Sequence, residues 1–399
     1  MEVSVSPAKD SPIRSSSFAA TAWMPTALET VYGFGAGPSA ELARLRATME
    51  CIERYAQFAP QNPPVAVVDT YASLKEIAIS PSECGLYSSA QYATQNFGFA
   101  PFSEHTPLEW VEVLDLLSGA KRLVPVEFVY PRVLLTRSRL VAETSNGTAA
   151  HVNQDSAVVA AACEVVERDS VMLFWYRQPR TAAIPIEAIP APQLRDELRT
   201  VQAMGFLIKV CYLVYDVGIP CFLIVALKGN NFAYGLGCHP SWRQALGHAV
   251  TELGQSLVAL RKRSRNASEY RFLPDIRTPE DHYALYNRKP FHDVLRHYLT
   301  RMSGVKEPGH WDATEDESSG DTGTLEHLIE TLASLDYRIY TCDLTPAVLK
   351  NCGVHVTRVL VPGLIPIHFG YDRLRLGCGR LWKAGHPGRL STLLPHFVA

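Results

Sequence analysis

The stretch "AVVAAACEVVERDSVMLFWY", from Ala157 to Tyr176, limits what this chain can fold into more than any other. Through Val166 it is apolar on every side of a helical wheel, so a helix from about Ser156 to Tyr176 must lie in the interior. Glu164 and Glu167 nevertheless occur inside it. Removing a carboxylate from water costs several kcal/mol unless a cation or strong donors compensate. Arg168 brings one positive charge for two negative ones, so a further partner for the charge is needed.

The same Glu-x-x-Glu-Arg wording occurs in "ECIERY", where Glu50, Glu53 and Arg54 fall on a helix expected over Ala40 to Phe58. A third pair, Glu252 and Gln255, has this spacing on a helix expected from Trp242 to about Arg263. Residues three apart on a helix share a face. Exposed glutamates are common on helices, so Glu50 and Glu53 alone would read as a solvated surface. The buried second pair shifts that balance. Five carboxylates and an amide, with no histidine at the +3 position, form a hard oxygen set that suits Mg²⁺ rather than a di-iron centre. Magnesium commonly comes with substrate phosphates, yet no Walker sequence exists, and "GFGAGPS" reads as a helix-opening turn.

Composition narrows the partners. The 399 residues carry 47% apolar and 20% charged residues, as expected of a folded protein with a large core. A net charge of −2 gives no electrostatic footprint for nucleic acid or an anionic membrane. The most apolar window, "FLIKVCYLVYDVGIPCFLIVALKG", is broken by Lys209, Asp216 and Pro220 and reads as two strands around a turn. The start lacks a secretory h-region. Nine scattered cysteines without a Cys-x-x-Cys pair read as small hydrophobes in a reducing cytoplasm.

Along the chain, residues 1–25 read as a flexible Ser/Ala/Pro-rich segment and 26–399 as one catalytic domain, with a mobile acidic loop over 305–324. Strands are expected in "PVAVVDTY", "LVPVEFVYPRVLLT", "NFAYGLGCHP", "RIYTCDL" and "VTRVLVP", and a helix in "LEHLIETLASLD". The sum is a mixed α/β fold of sheet layers with packed helices.

Four pieces in order, "GAGPSAELARLRATMECIERY", "SNGTAAHVNQDSAVVAAACEVVERDS", "HPSWRQALGHAVTELGQS" and "VPGLIPIHFGYDRLRLG", resemble the YcaO superfamily of ATP-dependent peptide-backbone-modifying enzymes. With "DHYALY" near residue 281, the likeness is strongest to its azoline-forming cyclodehydratases. The resemblance implies ATP over an acidic cluster with several Mg²⁺ ions. Glu50, Glu53, Glu164, Glu167 and Glu252 fall on the metal positions. Arg54, Arg168, Gln255, Ser145, Asn146 and Arg375 fall at or near the phosphate and nucleotide. Ser145 and Asn146 also read as a turn before the helix, and Arg375 as a surface arginine. The implied reaction is attack by a substrate Cys, Ser or Thr on the preceding amide, with phosphorylation of the resulting oxyanion. A precursor peptide and a leader-peptide-binding E1-like partner are implied, and a flavin dehydrogenase and a homodimer are allowed. Arg46 stands where relatives carry Ser, and Ala36 where many carry Lys. The tail "STLLPHFVA" has Pro395 alone where azoline enzymes commonly have Pro-x-Pro-x-Pro. Thioamide or amidine formation, or a non-catalytic subunit, therefore stay as alternatives.

Overall fold

The computed structural model describes the chain except residues 9–10, 28, 61, 180, 264–272, 301, 303–320, 383–389, 391 and 399, and, for side chains, 261–263 and 321. Most of the expected acidic loop therefore lies outside the described residues, and its last positions begin a helix.

Three antiparallel sheets form the frame. The first holds β1 (Glu2–Pro7), β2 (Phe18–Pro25) and β3 (Thr30–Gly37) in that order. The second runs β4 (Val67–Thr70), β5 (Pro107–Asp115), β12 (Tyr340–Asp343), β13 (His355–Leu360), β7 (Thr148–His151), with β6 (Lys121–Pro125) also paired to β5. The third runs in the order β11 (Asn231–Cys238), β10 (Cys221–Lys228), β9 (Leu207–Tyr212), β8 (Ala182–Ile184). Helices α1 (Ala40–Phe58), α2 (Gln154–Arg177), α3 (Pro192–Ala203), α4 (Trp242–Arg263), α5 (Pro279–Leu285), α6 (Phe291–Thr300) and α7 (Asp321–Ala333) pack on and between them.

Two expectations give way here. Residues 1–25 are not a loose leader: β1 and β2 form most of the first sheet. Val3 and Val5 pack against Ala20, Ala22 and Val31 while Ser4 and Ser6 face water, an alternation short enough to hide in a Ser-rich composition. In "LVPVEFVYPRVLLT" only Leu123–Pro125 is strand, because Pro125 and Pro131 cannot donate to a ladder and the chain turns into a short 3₁₀ segment.

The centre is built around α2 and the third sheet. Nearly every residue of β10 is buried, because Leu223, Val225 and Leu227 face α2 while Phe222, Ile224 and Ala226 face α3 and α4. That two-sided burial explains the continuous apolar run. Side chains cap all three glutamate-bearing helices. Ser39 accepts from Leu42 N–H at 3.3 Å, Asn153 from Ser156 N–H at 2.9 Å and Ser241 from Gln244 N–H at 3.4 Å.

Candidate active site

Helices α1, α2 and α4 bring their glutamates together, and one device orients each pair. Glu50 accepts the N–H of Phe34 on β3 at 2.8 Å, Glu164 accepts that of Gly147 at 2.9 Å, and Glu252 accepts that of Leu236 on β11. β3 and β11 are edge strands, so these amides have no ladder partner and the carboxylates satisfy them. Close approach of strand to helix makes the contact reachable. A Cβ on Gly33 would lie 2.2 Å from the Ala47 carbonyl oxygen, and one on Gly235 only 1.9 Å from that of Ala249.

Two arginines thread the cluster. Arg54 pairs with Glu50 at 2.6 Å and donates to the Tyr32 carbonyl at 2.9 Å. Arg168 pairs with Glu167 at 3.1 Å and Glu164 at 3.5 Å. Glu53 makes no hydrogen bond or ion pair within the described residues. Burial pushes its carboxyl well above the usual range, and the charges of Glu164 and Glu50 push it further. Burial also raises Glu50, against the pull of Arg54, and Glu252, against that of Arg168. Glu167 is pushed up to about 8, first by burial, with Glu252 and Glu164 adding to it and Arg168 opposing. Each of the five carboxylates thus lies within electrostatic reach of at least two others.

The side chains of Glu50 and Glu164 remain 28% and 29% exposed, that of Glu167 12%. The helix α2 is buried as expected, but its glutamates keep part of their surface exposed, so their desolvation is partial. Among the described residues no three acidic, histidine or cysteine side chains already surround one cation position. That suits Mg²⁺, which usually takes one or two carboxylates and completes its shell with phosphate oxygens and water. Carboxylates in excess of arginines, oriented by backbone N–H groups, are a donor set that fits such a cation.

The other expected residues fall unevenly. Gln255 is half-buried on the α4 face that carries Glu252. Ser145 is half-buried, and its carbonyl accepts from Thr148 N–H at 3.0 Å, closing a turn. Asn146 is buried beside it. Arg375 is not a surface residue. It is fully buried, donates to the carbonyls of Gly85 at 2.9 Å and Ala142 at 2.6 Å, and stacks over Tyr87. Sequence reasoning missed Arg358, buried on β13, whose charge acts on Glu164 and Glu53. A lone arginine in the apolar strand "VTRVLVP" was its signal.

It also missed an internal repeat. The pattern Tyr-Gly-x-Gly-x-x-Pro-Ser-x₃-Ala-x₃-Ala-x₂-Glu-x₂-Glu/Gln occurs from Tyr32 to Glu53 and again from Tyr234 to Gln255. The strands before it pair in matching register, Ala20 with Gly35 and Phe222 with Gly237. β2-β3-α1 and β10-β11-α4 are thus two copies of one unit.

The model of the YcaO cyclodehydratase family, described as ATP- and Mg²⁺-binding, matches residues 34–365. The chain belongs to the YcaO family. ATP and Mg²⁺ are its cofactors. An uncharacterised protein from the tfuA 3′ region of Rhizobium leguminosarum bv. trifolii is 27% identical over 344 residues, covering 83% of this chain and 76% of the relative. Among solved structures, a heterocyclase in complex with substrate and cofactor superimposes with a TM-score of 0.74 at 21% identity, over 94% of this chain and 51% of that one. YcaO from Methanopyrus kandleri, bound with AMPPCP and Mg²⁺, gives 0.62 at 22% identity, over 92% and 86%. This YcaO chain spans about half the length of the heterocyclase structures it matches. Among the described residues no helix is long and apolar enough to cross a membrane.

Proposed function

We propose that this YcaO protein activates a backbone amide of a ribosomally made precursor peptide, so that a neighbouring Cys, Ser or Thr of the peptide closes an azoline. The convergence of Glu50, Glu53, Glu164, Glu167 and Glu252, in excess of the arginines Arg54, Arg168 and Arg358 whose charge reaches them, supports this reading most. The five glutamates would hold Mg²⁺, with Gln255 as a neutral oxygen donor beside Glu252. Arg54 and Arg168 hold the carboxylates and would also meet the phosphates, while Ser145 and Asn146 shape the loop beside Glu164. Buried Arg375 would support that loop through Ala142 rather than touch phosphate. Bound Mg²⁺-ATP supplies the phosphoryl group that turns the amide oxygen into a leaving group.

No nucleophile from the enzyme is required, and four of its buried or half-buried thiols are poorly suited to be one. Burial holds Cys211 and Cys342 up at about 12, and Cys84 and Cys238 higher than an ordinary thiol. The nine free cysteines fit a cytoplasmic enzyme. A leader-peptide-binding E1-like partner would deliver the substrate.

The deciding experiment incubates the protein with Mg²⁺-ATP, the precursor peptide encoded nearby and any adjacent partner, then weighs the peptide. Loss of one water per modified Cys, Ser or Thr supports the azoline. Exchange of oxygen for sulfur, with sulfide present, replaces it by a thioamide. Absence of ATP turnover under every pairing sinks the enzymatic reading.

A further inference from the structure

The internal repeat sets two equivalent sheet faces beside the acidic site, and only one of them is covered. On β10 and β11, Leu223, Val225, Tyr234 and Leu236 lie in the core built around α2 and are at most 5% exposed. The matching positions on β2 and β3 are Thr21, Trp23, Tyr32 and Phe34. Helix α1 packs on the opposite side of that sheet, against Ala20, Ala22 and Val31. Among the described residues the outer side stays open. Tyr32 is 46% and Phe34 54% exposed, and Trp23, directly across from Tyr32, is half-buried. This open face borders the glutamates. The Phe34 N–H holds Glu50, and the Tyr32 carbonyl holds Arg54, whose guanidinium lies 5.9 Å from the Phe34 ring centroid. Farther out the face turns polar, because β1 points Glu2, Ser4 and Ser6 outward.

We propose that Phe34 and Tyr32, backed by Trp23, form the platform on which the peptide being modified lies, with an apolar or aromatic side chain of the peptide packed on their rings. This assignment rests on the peptide-activating reading above. Of the two equivalent flanks of the site, α2 closes one, which leaves the aromatic flank as the approach. The size of the face also favours a peptide segment. A stable interface with a folded partner or a second copy takes roughly 20–30 residues a side, and the three strands offer about ten outward side chains. An extended chain advances about 3.3–3.6 Å per residue, so the side chain on Phe34 belongs to a residue about one to three positions from the amide held over the glutamates. Rings grip by area and stacking rather than by hydrogen bonds. The platform therefore selects an apolar neighbour of the modified residue and not one fixed sequence. Phe34 and Tyr32 would be substrate contacts, and Trp23 a positioning residue for Tyr32.

The test reads binding apart from the reaction. The peptides acetyl-Phe-Gly-Cys-Gly-amide and acetyl-Gly-Gly-Cys-Gly-amide are titrated into the full chain, and their Kd values are measured by NMR. The wild type should bind the phenylalanine peptide about tenfold tighter, the worth of one packed ring pair. Phe34→Ser should abolish that preference and Phe34→Trp should keep it. Equal affinities on the wild type, or a preference that survives Phe34→Ser, overturn the proposal. Because the residue 34 amide still holds Glu50, Phe34→Ser should leave the melting temperature, the Kd of Mg²⁺-ATP and the sedimentation coefficient unchanged. Weaker Mg²⁺-ATP binding would assign the ring to the nucleotide base, and loss of a wild-type dimer would assign it to a second copy; either result overturns the platform. If wild-type protein never turns over ATP, the proposed function fails while the peptide preference still decides the platform.

Discussion

Replacing Glu167 by Gln removes a carboxyl group held at about 8 and therefore mostly protonated at neutral pH. Its folded pKa lies above the ordinary 4.5, so the folded chain keeps a proton that the unfolded chain releases. Glu167 thus contributes full stability below about pH 4.5, and that contribution shrinks as pH rises toward 8. At about 1.4 kcal/mol per pH unit, the loss over this window is roughly 2–5 kcal/mol, because Glu252 and Glu164 share the repulsion. Mg²⁺-ATP should reverse the trend, since a cation needs the ionised form, and binding at pH 7 should release close to one proton. Urea midpoints from pH 5 to 8.5, with and without Mg²⁺-ATP, measure the first effect. Calorimetry in buffers of different ionisation enthalpy measures the second. Glu167→Gln should flatten the stability slope and abolish the proton release. A mutant with the wild-type slope and release would refute the assignment of Glu167 to a strained, metal-accepting cluster.

Glu164→Ala should abolish ATP hydrolysis while urea unfolding stays cooperative; wild-type turnover in this mutant would remove Glu164 from the metal set. Gly235→Ala puts a Cβ 1.9 Å from the Ala249 backbone oxygen and should cost roughly 2–5 kcal/mol and weaken Mg²⁺-ATP binding through displaced α4. Gly247→Ala, with open space around its Cβ, should be neutral or stabilising, and equal melting temperatures for the two would contradict the close-approach argument. Arg380 pairs with buried Asp169 at 2.7 Å and with Asp216 at 2.6 Å, so Arg380→Ala should cost about 3–5 kcal/mol, read from chemical denaturation. His282, His368 and His396 are held neutral by burial, His282 down to about 4. The stability they contribute is present above about pH 6.5 and is lost as pH falls toward 4. His282 bonds the His396 carbonyl and His396 that of His368, so amide hydrogen exchange over residues 394–398 should speed up in that window, and protection down to pH 4 would reject the linkage.

The sequence was most legible where capping and periodicity agreed. Ser39 and Ser241 cap α1 and α4, which begin at the expected residues, and α1 ends at the expected Phe58. The metal-bearing faces could be read because one spacing recurred three times. What stayed hidden depends on partners remote in sequence. β1 is a strand only because β2 pairs with it, and the solvent-facing Ser4 and Ser6 masked its inner valines. β5 alternates, but it lay within a segment punctuated by prolines. Arg375 could be read as a surface residue because nothing local shows that Gly85 and Ala142 would meet it. The anchoring of Pro395 to Tyr286, and of Phe397 among Trp175, Phe232 and Tyr234, likewise joins positions far apart in the chain.

The repeat explains why the acidic site sits where it does and why its halves differ. Two copies of a ββα unit bring Glu50 and Glu252 to equivalent places, each tied to the edge amide of its own strand. Two identical copies would have added a sixth carboxylate and a second local arginine. The second copy instead has Gln255 opposite Glu53 and Ser256 opposite Arg54. Ser256 turns to the strand, accepting from Tyr234 N–H at 3.2 Å, where Arg54 had donated to the Tyr32 carbonyl. Glu252 is therefore left without an arginine one turn on, where Ser256 stands, and the cation that serves it comes from α2: Arg168, whose charge also faces Glu164 and Glu167. Losing one carboxylate and one arginine together keeps the local charge unchanged while opening a neutral, smaller corner beside Glu252. Gln255→Glu would reverse only half of that exchange. It should raise Glu167 further through added like charge and lower stability most near pH 8, whereas pairing it with Ser256→Arg should restore the loss.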